Sequence, residues 1–294
     1  MRVHLVDGTY ELFRYHFALP THQTTTGQHT GAVRGVVGSM FGLLEEGATH
    51  VGIATDHVIE SFRNDLYDGY KDGSGTEPEI SSQFQLLEDV LEAAGFCVMA
   101  MVEYEADDAM GAAARLVADD KRVEQVMICT PDKDLGQCVT PDSRIVQYDR
   151  RKQHLIDREA VIEKFGVAPE SIPDYLGLVG DTADGFPGLP GWGAKSASTV
   201  LAKYGRIEDI PAAPGQWDVS VRGAAKLAKT LQDHYDDALL FRRIATIEYD
   251  APTIGSVDEL EWQGPGADFS AIAESIDAPY LAARAAKIVA NRTE

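Results

Sequence analysis

Four short apolar runs mark the first 130 positions: VHLV from residue 3, HVGIAT from 50, FCVMAM from 96 and QVMIC from 125. Runs of this length without two-residue alternation fit strands covered on both faces. Between them apolar positions recur every three or four residues. That period predicts helices over GAVRGVVGSMFGLLEEG (31–47) and EISSQFQLLEDVLEAAG (79–95), each closed by glycine, and over ADDAMGAAARLVADD (106–120), where residues 106, 110, 113 and 117 share a face. Strands alternating with helices predict an α/β fold built on a parallel sheet. After RIVQYD, which begins at residue 144, the strand signal fades. DREAVIEKFG, PESIPDYLGLVG, WGAKSASTVLAKYG and a long stretch from about 222 to 247 read as helices, with PAAPG (211–215) as the clearest internal loop. The last 45 residues support no functional reading.

Composition changes this picture little, and charge changes it more. With 44% hydrophobic and 25% charged residues, 294 positions suit a globular protein with one large core or two smaller ones. MRVHLVDGTY has no apolar run of signal-peptide length, and no stretch reaches the roughly 18 apolar residues of a membrane span, so a soluble, cytoplasmic protein without a membrane partner is expected. Cys97, Cys129 and Cys138 lack metal or redox spacing and read as reduced core residues. The formal net charge of −21 argues against a polyanionic partner. Residues 188–229 carry +3, however, against −24 for the remainder, which leaves room for a local basic platform.

In an open parallel sheet, ligands bind beyond the carboxyl ends of the strands, and carboxylates follow every strand here. Asp7 and Asp56 end the first two. Glu105, Asp107 and Asp108 follow the third, Asp132 and Asp134 the fourth, and Asp181 and Asp184 stand in GDTADG at the entry to the helical part. Nine such groups gathered at one edge could not all stay ionised without cations. Magnesium or manganese, hard ions with oxygen ligands, would resolve the conflict, and two ions about 3.5–4 Å apart would suit in-line attack on phosphorus.

LVDGT, TGAVRG, FRNDLYDGYK, EYEADDAMG, TPDKDLGQ and LVGDTADGFPGLPGWGAKSA occur in order over roughly residues 1–210. In these motifs the chain resembles the 5′ nuclease (flap endonuclease) family, represented by the 5′→3′ exonuclease domain of bacterial DNA polymerase I and its free-standing relatives. The resemblance implies a PIN-like (resolvase-like) nuclease domain over 1–168, with an arch region at about 62–80. A helical helix-hairpin-helix (H3TH) domain would follow over 169–250, then an extension, 251–294, of unassigned role. It further implies one metal cluster of Asp7, Asp56, Glu105, Asp107 and Asp108 and a second of Asp132, Asp134, Asp181 and Asp184, holding two Mg2+ ions that Mn2+ can replace. Lys71, Asp56, Glu105, Asp107 and Asp132 would carry catalysis. Arg63, Tyr70, Lys71, Gly188, Gly191, Gly193 and Lys195 would meet DNA, and the turn at 188–195 would hold K+ at Gly191 and Gly193, its glycines letting backbone N–H groups approach phosphate.

The expected activity is structure-selective 5′→3′ exonuclease and 5′-flap cleavage in Okazaki fragment processing, primer removal and repair. Its substrates would be DNA 5′ ends, flaps and junctions, with RNA primers on DNA in addition, acted on by a monomer. Two departures from the family stand out. No basic residue follows Lys71 until Arg115, so the arch is acidic, and Gly185 replaces the usual Asn, which predicts a looser turn. Two other readings compete. VDGT resembles the DxDGT of aspartate-nucleophile phosphatases, but Leu5 stands where the nucleophile would have to be. A catalytically weak DNA-junction-binding protein of the same fold is the second, against which all nine acids are retained.

Overall fold

Met1–Ile59, Gly73–Thr130 and the chain from Tyr249 onward fold as one unit, and Glu60–Asp72 with Pro131–Glu248 as a second, in a computed structural model that describes residues 1–293. The first unit is built on strands β1 (Arg2–Asp7), β2 (His50–Asp56), β3 (Cys97–Met101) and β4 (Gln125–Cys129). They run parallel in the order β3-β2-β1-β4, with Val6 opposite both Ile53 and Cys129. The four apolar runs are thus the four strands. The order turns at β1, so the crevice between the ends of β1 and β4 is the topological switch point.

Helices cover the sheet because their apolar faces leave water against it. Gly31–Glu45 buries Val33, Val36, Val37, Met40, Phe41 and Leu44, and Ala106–Ala118 buries Ala109, Met110, Ala113 and Val117. The 79–95 helix is broken into Pro78–Ser81 and Phe84–Ala93. The break has a use. Gln83 turns its side-chain carbonyl onto the N–H groups of Ala32 (3.1 Å) and Val33 (3.3 Å), capping a helix start whose own Thr30 makes no capping bond.

The segment after Tyr249 completes this core. Trp262 lies against Phe41 and Phe96, with ring centroids 6.4 and 6.3 Å away, and donates its indole N–H to Ala94 O at 2.9 Å. Phe269 packs edge-on to Phe41, and the final helix is tied back by Arg284 to Glu45 and Gly38 O.

The second unit contains the antiparallel pair β5 (Ile145–Asp149) and β6 (His154–Ile156), followed by helices Arg158–Phe165, Ile172–Val179, Ala194–Tyr204, Ala224–Asp233 and Tyr235–Ala245. Its core gathers Leu176, Leu178, Phe186, Trp192, Val200, Leu201 and Phe241. The single helix expected over 222–247 is two, parted at His234 (φ −125°, ψ 31°). No Gly or Pro marks the break. Asp236 and Asp237 open the second helix, where acids favour a new N-terminus, and Asp237 meets His234 Nδ1 at 2.9 Å. Among the described residues, no helix is long and apolar enough to cross a membrane.

Candidate metal centre and nucleic-acid interface

In the first unit each strand-end acid is fixed by a hydrogen bond to main chain at a helix start. Asp7 ends β1 and caps the helix Gly8–Ala18, accepting from Tyr10 N–H at 2.8 Å, while its other oxygen accepts from Thr130 Oγ1 at 3.0 Å across the switch point. Asp56 ends β2 and accepts from Ala106 N–H at 2.8 Å. Glu105 precedes the first turn of Ala106–Ala118 and pairs reciprocally with Asp108, whose carboxylate accepts from Glu105 N–H at 3.0 Å. Glu105 and Asp108 are buried, and Asp107 is half-buried. Positive helix ends therefore offset part of the acids' mutual repulsion. Glu88, buried, accepts from Thr55 Oγ1 and His57 Nδ1, both at 2.7 Å, and so braces β2 on either side of Asp56.

In the second unit the carboxylates of Asp134, Asp181 and Asp184 bring oxygens within 4.8 Å of one another, the one such triple among the described residues. Asp134 opens a 3-10 turn (Asp134–Cys138), and its N–H is held at 2.9 Å by Asp132, which is itself exposed and outside the triple. Asp181 and Asp184 sit on a loop closed by two backbone bonds between Asp181 and Phe186, at 2.8 and 3.0 Å. Burial, then the charges of Asp132, Asp184 and Asp181, push the Asp134 carboxyl well above its ordinary range, against the opposing pull of Lys133. Burial also raises Asp184, with Lys71 opposing and Asp181 adding to it. Asp134 Oδ1 is buried without a hydrogen-bond partner. A cluster of hard oxygen donors with one orphaned lone-pair site suits a hard divalent cation.

Two lysines offset part of the charge of the triple. Lys71 Nζ lies 3.0 Å from Asp184 Oδ1, and Lys133 Nζ 2.5 Å from Asp181 Oδ2. Burial opposes the Lys133 charge, but the hydrogen bond to Asp181 and the nearby acids outweigh it and raise its pKa. Sequence reasoning missed Lys133, though a lysine between two acids in TPDKDL was a visible signal. It also missed Gln147, which is buried and donates to Asp132 O at 2.6 Å, fixing that loop from a distance no sequence spacing reveals.

The turn at Gly185 is not loose, contrary to expectation. Gly185 has φ +87°, and a Cβ there would lie 2.1 Å from Gly69 O. Absence of a side chain lets the segment 69–71 close on the turn, where Lys71 N–H donates to Asp184 O at 3.1 Å. Main chain thereby sets the Lys71 ammonium beside Asp184.

Arg63 and Tyr70, expected at DNA, are both buried. Arg63 donates from Nε to Ile244 O (2.8 Å) and from Nη2 to Thr246 O (3.0 Å), so its guanidinium ties the end of the last helix of this unit rather than projecting outward. The turn at 188–195 leads into Ala194–Tyr204 with Gly193 as its cap. Open space surrounds the position a Cβ would take at Gly191 and at Gly193, whereas Gly188 is pressed against Gly180. A concavity of about 540 Å3 lined by Gly191, Gly193, Lys195, Ser196, Thr199 and Arg222 opens there. Trp192 is buried and donates to Leu227 O at 3.2 Å, a packing role.

A switch-point sheet with acids at its strand ends, joined in one chain to a helical unit bearing a largely buried carboxylate triple, is the architecture of a resolvase-like nuclease fold. Residues 2–166 match the model of the 5′-3′ exonuclease N-terminal resolvase-like domain, and 167–268 that of the 5′-3′ exonuclease C-terminal SAM fold. The chain belongs to the 5′-3′ exonuclease family. It is 36% identical over 267 residues to DNA polymerase I of Bacillus caldotenax, covering 88% of this chain and 29% of that protein. It is 33% identical to a 5′-3′ exonuclease of Aquifex aeolicus, covering 71% of each. The chain thus spans under a third of the DNA polymerase I relatives it matches. Its fold is shared with the T5 D15 protein co-crystallised with metal ions (TM-score 0.65, 16% identity, 100% of both chains). Flap endonuclease-1 of Methanococcus jannaschii shares it too (TM-score 0.59, 14% identity, 99% and 93% covered).

Proposed function

We propose that this chain is a metal-dependent, structure-selective 5′→3′ exonuclease and 5′-flap endonuclease acting on DNA in primer removal, Okazaki fragment processing and repair. The observation that carries the reading is the triple Asp134, Asp181 and Asp184 with its orphaned Asp134 Oδ1, in a chain of the 5′-3′ exonuclease family. Solved relatives point the same way: T5 5′-exonuclease binds divalent zinc, and the catalytic core of Rad2 is seen in complex with DNA substrate.

Asp134, Asp181 and Asp184, with Asp132 beside them, would hold one cation, and Asp7, Asp56, Glu105, Asp107 and Asp108 a second. Mg2+ is the expected ion and Mn2+ its substitute, by the hardness of the donors. When bound, a cation of this kind would lower the pKa of water and stabilise charge on phosphate oxygens during phosphodiester hydrolysis. Lys71, held at Asp184, offers its ammonium to charge building on the phosphate. Lys133, paired with Asp181, would offset carboxylate charge at this cluster. The Gly191–Gly193 turn and Lys195 would meet a backbone phosphate and hold K+, with Arg222 on the same concavity. Buried Arg63 and Tyr70 would act by shaping the segment that carries Lys71. RNA primers on DNA are a further expected substrate, and a monomer the expected form.

End-labelled flap, nick and overhang substrates, incubated with and without magnesium, test the proposal. Cleavage near the 5′ junction in magnesium, lost in Asp181→Asn, is expected. Junction binding in EDTA with no product on adding magnesium would leave a DNA-binding protein and defeat the enzymatic reading.

A further inference from the structure

The sheet of the first unit ends on one side at β3. Val58 N–H donates to Met101 O at 3.3 Å, which puts the amides of residues 97, 99 and 101 on the β2 side. In-plane backbone groups alternate along a strand, so Val98, Ala100 and Val102 turn theirs outward. Among the described residues, no hydrogen bond meets those outward groups.

Edges of this kind are usually guarded by lysine, proline, a bulge or a covering loop. The stretch FCVMAMV (96–102) has none of the residue guards: it contains no charge and no proline. Ala100 is exposed, and so is Val102, at 60%. The nearest cover stands off. Pro252, Thr253 and Ile254 form a facing wall, touching β3 through the Thr253 hydroxyl on Met99 Sδ (3.1 Å), and a groove of about 490 Å3 lies between wall and strand.

The groove is negative. Glu103 and Glu259 line it, with no lysine or arginine, and Glu259 is fixed there by the N–H groups of Gly255 (2.9 Å) and Ser256 (3.1 Å). Burial first, then Glu259 and Glu92, push the thiol of Cys97, within the groove, up to about 11. The same side of the sheet already accepts extended chain beside β2, where Glu261 bridges His50 in antiparallel fashion and Trp262 N–H donates to Thr49 O at 2.9 Å.

We propose that β3 is a strand-addition site for an extended peptide in which small apolar residues alternate with lysine or arginine. Main-chain bonds to Val98, Ala100 and Val102 would supply affinity, the cations would lie on the groove face with Glu103 and Glu259, and the apolar side chains, on the opposite face, would lie beside those of Val98 and Ala100. A second copy of the chain is the poorer occupant, because pairing two such edges would bring four carboxylates together in molecules that each carry −21. The site is independent of the nuclease reading.

The probes are fluorescein-labelled octapeptides of alternating valine and lysine, the same peptide with glutamate for lysine, and the lysine peptide N-methylated at every second residue. Fluorescence anisotropy reads binding, and amide hydrogen exchange of the full chain reads its place. The lysine peptide is expected to bind and to slow exchange at Val98, Ala100 and Val102 at least tenfold, while the other two fail to saturate. Val102→Lys, at an exposed position that leaves the core untouched, should weaken binding at least tenfold. Three results would overturn the proposal: no protection over residues 97–104 at saturating lysine peptide, equal binding of the glutamate peptide, or protection of β3 in a peptide-free dimer.

Discussion

Asp134→Asn should make the metal-free protein more stable while removing its response to magnesium. Asp134 Oδ1 is a buried acceptor without a partner, and Asp132, Asp184 and Asp181 all oppose its ionisation. An unsatisfied buried polar atom costs about 1–3 kcal/mol. The amide removes the charge and offers an NH2 that can donate to the Asp181 or Asp184 carboxylate. A gain of about 1–3 kcal/mol in EDTA is therefore expected, a rise of several degrees at roughly 2–4 °C per kcal/mol. Magnesium at a hundredfold excess over its Kd adds about 2.7 kcal/mol to a chain that binds it only when folded. The variant should lose most of that, so the gap between the two melting temperatures closes as magnesium is added. Thermal melts followed by circular dichroism, in EDTA and across a magnesium titration, measure both effects. A variant that melts at or below the wild type in EDTA, or keeps the full magnesium gain, would refute the reasoning.

Lys71→Ala should lower single-turnover cleavage by about 10²–10³-fold, the usual loss for one electrostatic group at a reacting centre, with little change in flap binding. Arg63→Lys should destabilise by about 3 kcal/mol in urea unfolding, because one ammonium cannot reproduce the fork on the Ile244 and Thr246 carbonyls, each worth about 1.5–3 kcal/mol. Asp134 and Asp184 both titrate above their unfolded range, so the folded chain keeps protons that the unfolded chain has released. The associated stability is whole below about pH 4 and declines as pH rises through the raised folded values. In EDTA the melting-temperature advantage of Asp134→Asn over wild type should accordingly widen from pH 4 to pH 7, and saturating magnesium should abolish it.

What could be read from residues alone divides along a physical line. The strands were legible because each is an apolar run with an acid close behind it, and a strand's carboxyl end is where ligands meet an open sheet. Glu105 and Asp108 were legible as a pair because three-residue spacing at a helix start places them reciprocally. Contacts between distant positions leave no period. Gln83 capping Ala32, Gln147 holding the Asp132 carbonyl and Trp262 closing over Phe41 join residues 51, 15 and 221 positions apart. Arg63 in FRNDLYDGYK has the composition of a phosphate contact, and only burial distinguishes it from one. The break at His234 was hidden because both flanking segments are good helix formers.

The chain enters its first unit at Met1, leaves it at Ile59, re-enters over Gly73–Thr130 and returns to it at Tyr249. Trp262 and Phe269, which close over Phe41, are thus made more than 200 residues after it. On the ribosome the β1–β4 sheet must wait, with an aromatic face wet, while the whole of 131–248 is synthesised. A stop codon near 248 would leave the acids of the first unit encoded but their scaffold unsealed, and such a fragment should accumulate as inclusion bodies rather than as a smaller nuclease.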